Sequence, residues 1–159
     1  MNRAVLIIML LLIYIGVTMA CSQDVRMDEL GLELSPTFTV DYVDKQGQDQ
    51  KFTFRGIENK IGITDAPLII GVSQKVIWHF WDDAEQVVGK TLKVEGTSEE
   101  SGERLILLES DRLTLAPNLG ATTSLPSGIQ LNELGLWKLD IYLDNAYYDS
   151  LIVEGKQSY

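Results

Sequence analysis

Apolar and polar residues alternate along most of this chain, and the alternation is sharpest in two places. Lys75-Val76-Ile77-Trp78-His79-Phe80-Trp81 is apolar on both of its possible strand faces: Val76, Trp78 and Phe80 share one, and Ile77, His79 and Trp81 share the other. Successive side chains of a strand point to opposite sides. A strand with two apolar faces is covered on both, so a central strand of a layered β-domain is predicted from about Gln74 to Trp81. From Gly135 to Asp144, Trp137, Leu139, Ile141 and Leu143 alternate with Leu136, Lys138, Asp140 and Tyr142. Asp144-Asn145-Ala146 is a turn signal, and Tyr147 to Glu154 returns as a partner strand. Strand, tight turn, strand is a hairpin, and this one closes the domain, leaving Gly155 to Tyr159 as a polar tail.

Weaker alternation marks the rest. Phe38, Val40 and Tyr42 share a face of Thr37 to Val43; Phe52 and Phe54 share a face of Lys51 to Arg55; the polar run Asp44 to Asp49 between them reads as a second hairpin turn. Short strand signals follow at Lys60 to Thr64, ended by Pro67, and at Leu68 to Ile70, closed by Gly71. Asp82-Asp83-Ala84-Glu85 reads as a turn. Lys90 to Glu95 and Glu103 to Glu109 read as strands around the polar turn Thr97 to Gly102. Ser110 to Leu134 carries Pro117, Pro126, Gly120 and Gly128 and shows little periodicity. It reads as a long connection, either a crossover between sheets tacked down by Leu119, Leu125, Ile129 and Leu131, or a functional loop. No useful helical period occurs after Cys21. The pattern predicts an all-β, immunoglobulin-like β-sandwich over residues 37–155, with a small closed barrel as the alternative.

The start of the chain has a different character. Met1-Asn2-Arg3 is weakly basic, Ala4 to Val17 is nearly unbroken apolar sequence, and Thr18-Met19-Ala20 leads to Cys21. Charge, apolar run and small residue in that order read as a secretory signal over residues 1–20. The run is short for a stable membrane span. Cys21 is the single cysteine of the 159 residues, so an internal disulfide is impossible. Val17 to Cys21 resembles the end of a bacterial lipoprotein signal, although Leu is more usual at the position of Thr18. That resemblance implies that Cys21 is the lipid-bearing first residue of the mature chain, with residues 21–36 as a tether. Within the tether, Leu30, Leu32 and Leu34 alternate before Pro36 breaks the run. A diacylglyceryl group supplies the more-than-one-chain anchoring that stable attachment needs. Membrane attachment through lipid on Cys21, at the extracytoplasmic face, is the expected location.

The net charge of −10 opposes contact with phosphate backbones, so nucleic-acid binding is not expected. It also opposes adsorption to anionic headgroups through basic residues. Reactive groups are few. His79 is the one histidine, and mid-strand it reads as a packed residue. The competing reading is an envelope hydrolase using His79 with Ser73, Ser124 or Ser127, but the G-x-S-x-G elbow is missing. With one His and the one Cys committed to lipid, no zinc or copper site and no cofactor are expected. The acidic groups Asp82, Asp83, Glu85 and Asp140, Asp144, Asp149 match no calcium-loop pattern and read as solvated surface. Trp81, Trp137, Tyr142, Tyr147 and Tyr148 could form a stacking platform, although Trp78 and Trp137 read as core. His79, Trp81 and Tyr142 are the candidate ligand-facing residues, with a site expected near Trp81 and the Ser110 to Leu134 segment.

Two patches carry a wider resemblance. Trp78-His79-Phe80-Trp81, the Leu125-Pro126 region and Gly135-Leu136-Trp137-Lys138-Leu139-Asp140-Ile141-Tyr142-Leu143-Asp144 resemble a family of Gram-positive lipoproteins. Its marks are a WHFW strand, a Ser/Pro-rich loop and a C-terminal GLW-x-LD-x-Y hairpin, and the resemblance spans Phe54 to Glu154. Asp82 departs from the pattern, where Gly is expected. The family is a domain of unknown function. The resemblance therefore implies the location and the all-β fold, and supplies no catalytic residues. The expectation is a non-catalytic module that binds a protein, a peptide or a cell-wall glycan. An accessory subunit of an exported complex is a further alternative.

Overall fold

The computed structural model describes residues 31–158. The signal segment, Cys21 and the tether up to residue 30 lie outside the described residues. The elements in chain order are β1 (Thr37–Val43), β2 (Asp49–Ile57), β3 (Ile61–Thr64), β4 (Leu68–Ile69), β5 (Gln74–Phe80), α1 (Ala84–Val87), β6 (Thr91–Ser98), β7 (Arg104–Arg112), β8 (Thr123–Ile129), β9 (Gly135–Leu143) and β10 (Ala146–Lys156). They form two five-stranded sheets. The first has the order β1-β2-β3-β5-β8 and the second β4-β10-β9-β6-β7. All pairings are antiparallel except the short contact of β4 with β10.

The alternation places the core. From the first sheet, Val76, Trp78 and Phe80 of β5 and Ile61 and Ile63 of β3 point inward. They meet Leu92 and Val94 of β6, Trp137, Leu139 and Ile141 of β9, and Leu151 and Val153 of β10. Full burial of one such side chain is worth about 1.5–3 kcal/mol. A buried indole must also place its N–H. Trp78 donates to the hydroxyl of Ser127 at 2.9 Å, and Trp137 to the carbonyl of Glu133 at 3.1 Å.

The segment Ser110 to Leu134 is more ordered than expected. β7 runs on to Arg112, and Thr123 to Ile129 is a full strand, paired with β5 from Phe80↔Thr123 to Gln74↔Ile129. Pro126 and Gly128 hid it. A proline lacks the N–H that a central strand must donate, but β8 is an edge strand and tolerates it. A second difference is α1, a single helical turn where a plain turn was expected. With β7 running to Arg112 and β8 starting at Thr123, the connection between them is cut to residues 113–122.

The first sheet is strongly curled. β1 and β5 are separated by two strands, which in a flat sheet puts them about 14 Å apart. Yet the rings of Phe38 (β1) and Trp81 (just past β5) lie 5.4 Å apart, centroid to centroid. Two glycines open the path between them. Gly56 and Gly62 are cross-strand partners. A Cβ on Gly62 would sit 3.1 Å from Phe38 Cζ, and one on Gly56 would sit 2.2 Å from the carbonyl oxygen of Ile61. Without side chains there, the aromatic rings lean together over the backbone and the sheet closes as a half-barrel around them.

Candidate functional site

The curl gathers aromatic side chains on the face of the first sheet that points away from the second. Phe54, fully buried, is the hub. Its ring centroid lies 4.8 Å from His79, 5.1 Å from Trp81, 5.7 Å from Phe38 and 6.4 Å from Phe52, and Phe52 continues to Tyr42 at 5.3 Å. The registers Phe38↔Phe54 and Val40↔Phe52 place these residues on one face, because cross-strand partners share a side. The result is an aromatic trough. It is closed at the His79 end and increasingly exposed toward the β1–β2 turn, where Phe52 is on the surface.

His79 stacks on Trp81 at 5.6 Å and is 1% exposed. Its hydrogen bonds are complete. Nδ1 lies 3.3 Å from the carbonyl of Ile77, and Nε2 lies 3.2 Å from the amide nitrogen of Asn118. These distances fit a neutral ring that donates from Nδ1 and accepts at Nε2. Burial holds its pKa below the usual histidine value, against a smaller opposing effect of the Ile77 carbonyl.

The 113–122 loop seals this end. Asn118 and Ala121 bond to each other through their backbones, and Thr122 N–H donates to the carbonyl of Phe80. Leu119 and Gly120 both take positive φ (49° and 78°) in the bend. Gly120 lies against the indole: a Cβ there would be 3.8 Å from Trp81 Nε1. The hydroxyl of Ser124, the cross-strand partner of His79, donates to the carbonyl of Ala116. Ser127 is engaged by Trp78 on the opposite face. Neither ring nitrogen of His79 meets a serine.

The three candidate ligand-facing residues fall in two places. His79 and Trp81 are neighbours in the trough, and Trp81 is the half-buried member that reaches the surface. Tyr142 lies on the outer face of the second sheet. There it packs edge-on to Tyr147 at 6.0 Å and lies under the ammonium of Lys93 at 4.9 Å. Its pKa is raised, first by burial and then by Asp140 and Glu95. Around it, Glu95 and Asp140 are direct cross-strand partners of like charge. Each is paired with a lysine two residues away on its own strand: Lys93–Glu95 and Lys138–Asp140, both 2.8 Å. Those pairs raise the pKa of each lysine, chiefly through the hydrogen bond to the carboxylate.

A third cluster ties the sheets together beside Trp81. Tyr148 donates to Asp82 at 2.9 Å, and Lys60 reaches Asp149 at 2.6 Å while lying over the Tyr148 ring. Burial pushes the Tyr148 phenol far above its usual range, and the Asp82 carboxylate adds to the shift. Asp82, where Gly was expected, has a defined partner in Tyr148. Among the described residues, no group of three or more His, Cys, Asp or Glu side chains could hold a metal ion.

Sequence reasoning placed Phe38 with Tyr42 on one strand face and Phe52 with Phe54 on another, but could not see that the register joins the two faces or that the sheet curls around them. Asn118 carried no signal at all; only the fold of its loop brings it to His79.

Two sheets packed face to face, with a loop-sealed aromatic trough on one outer side, define an all-β sandwich domain whose distinctive surface is aromatic. The chain belongs to the family described as Domain of unknown function (DUF4871), whose pattern matches residues 23–153. A crystal structure described as that of a "Putative Lipoprotein from Bacillus anthracis" is similar, with 25% identity and a TM-score of 0.55. The match covers 78% of this chain and 86% of that one. No curated protein matches the sequence.

Proposed function

We propose that this protein is a lipid-anchored module at the extracytoplasmic face of the membrane, an immunoglobulin-like β-sandwich that binds a partner and catalyses no reaction. Cys21 carries the lipid after loss of residues 1–20. The similar fold described as a lipoprotein supports the location, together with the apolar leader that ends at Cys21. The observation that carries the non-catalytic reading is the state of His79: buried, neutral, and hydrogen-bonded through both ring nitrogens to Ile77 and Asn118. A general base needs an accessible lone pair within reach of a substrate proton, and that lone pair is already occupied.

The binding surface in this reading runs along the trough, from half-buried Trp81 at its sealed end to Tyr42 and Phe52 at its open end, whose rings are offered to a peptide or a sugar. Two experiments test it. Metabolic labelling with a radioactive fatty acid should mark the wild-type protein and leave Cys21→Ser unlabelled; label on both or neither overturns the anchor. Cross-linking in cells from a photo-reactive residue at position 52 should trap a partner that one at exposed Tyr147 does not. Equal yields from both positions overturn the trough as the binding surface.

A further inference from the structure

The described chain begins at one end of the sandwich, and that end differs from the other. Leu32 N–H donates to Glu99 Oε1, beyond the last residue of β6, and Ser35 makes two hydrogen bonds with Ile152 of β10. The chain therefore enters beside the β6–β7 turn and climbs the edge of β10 before Pro36 turns it into β1. At this near end lie the β4–β5 turn, the start of β9 and the end of β10, because β4 pairs with Gly155 and Lys156 and Gly135 pairs with Gly155. The tip of the β1–β2 hairpin points the same way: β2 starts at the tip and runs to Ile57, next to Lys60, which contacts the far-end cluster of Tyr148 and Asp149.

Exposed apolar side chains concentrate at this near end. Val43 at the hairpin tip is 64% exposed, Val72 in the β4–β5 turn 50% and Leu134 before β9 45%, with Leu34 also exposed; Phe52, opposite Val40, points from the flank of the first sheet and stays open to a partner. The far end has Leu115 and Tyr147, and exposed Ile106 lies between the two ends, opposite Glu95 on β6.

We infer that the near end rests on the bilayer surface through Val43, Val72 and Leu134, and that Trp81 and the 113–122 loop face away from the membrane. This rests on the lipid anchor at Cys21. Nine residues lie between Cys21 and Gly31, ten Cα–Cα steps with a reach of at most about 36 Å, and the described chain starts at this end. The anchor supplies a high effective concentration of membrane, so three shallow apolar contacts suffice where they would not hold a free domain. Glu99, Glu100, Glu103 and Glu133 lie on the same end. Their charge opposes anionic headgroups, so the contact is apolar and short in range, and it weakens as anionic lipid is added.

The test uses the acylated protein, its lipid confirmed by mass, in phosphatidylcholine vesicles containing a headgroup-spin-labelled lipid. An environment-sensitive dye is placed on Val43→Cys, Val72→Cys or Leu134→Cys at the near end and on Leu115→Cys at the far end. The thioether at Cys21 leaves no competing thiol. Several-fold stronger quenching at the three near-end positions than at position 115 is expected, shrinking when phosphatidylglycerol replaces part of the phosphatidylcholine. Equal quenching at both ends, or stronger quenching at position 115, in acylated protein overturns the orientation alone. A protein that carries no acyl group overturns the anchor and the orientation together.

Discussion

Phe54 and Tyr142 occupy comparable positions, each an aromatic on the outer face of its sheet, and they meet opposite fates. Phe54 is fully buried among Phe38, His79 and Trp81. Tyr142 stays at the surface among Lys93, Lys138, Glu95 and Asp140. Both faces arise from the same period-two alternation. What separates them is curvature. Gly56 and Gly62 let the first sheet bend until its outer face becomes a second core, whereas the second sheet keeps its outer face toward water and covers it with paired charges. An apolar outer face thus need not mean an exposed sticky patch; two missing side chains can turn it inward.

That contrast can be broken by substitution. Phe54→Ala removes the hub of the trough and should cost about 3–5 kcal/mol in urea unfolding. Tyr142→Ala should cost about 1 kcal/mol or less, as surface changes do. Equal losses would erase the distinction between the faces. Gly62→Ala adds one methyl against Phe38 Cζ and the Arg55 carbonyl oxygen; it should cost about 1–3 kcal/mol by overpacking, and a neutral result would contradict the role given to the glycines.

The pH response sharpens the comparison further. The folded pKa of His79 lies below the ordinary value of 6.5. Below 6.5 the unfolded chain takes up a proton that the folded chain refuses, so stability falls as pH drops from 6.5 toward the folded pKa. Thermal unfolding between pH 7 and the carboxylate range should show this slope, and His79→Gln should flatten it. A wild-type profile level across that window would argue against a buried, neutral ring. The smallest effect is expected on the second sheet. Lys156→Met, which breaks the exposed pair with Glu154 on that sheet's outer face, should change stability by less than about 1 kcal/mol, and by less still at high salt; a larger loss would give that charged face a structural weight it lacks here.

The inner core was legible in the sequence because it follows from alternation alone. Val76, Trp78 and Phe80 on β5, and Trp137, Leu139 and Ile141 on β9, face each other as their spacing requires. The opposite face of β5 was legible as apolar, but what covers it was not. That depends on residues far away in sequence, Phe38 and Asn118, and on a bend set by two glycines whose meaning is visible only once β2 and β3 pair. β8 was missed because Pro126 and Gly128 suit an edge strand, and an edge needs neither every N–H nor every side chain. His79 and Trp81 were rightly read as sharing a face; that Tyr142 belongs to the other side of the molecule follows from sheet order, which no local pattern encodes.

Intact-mass analysis of the native protein extracted from membranes tests the functional account most directly. A chain that begins at Cys21 and carries a diacylglyceryl adduct is predicted. A chain retaining residues 1–20, or one starting elsewhere without lipid, would contradict it.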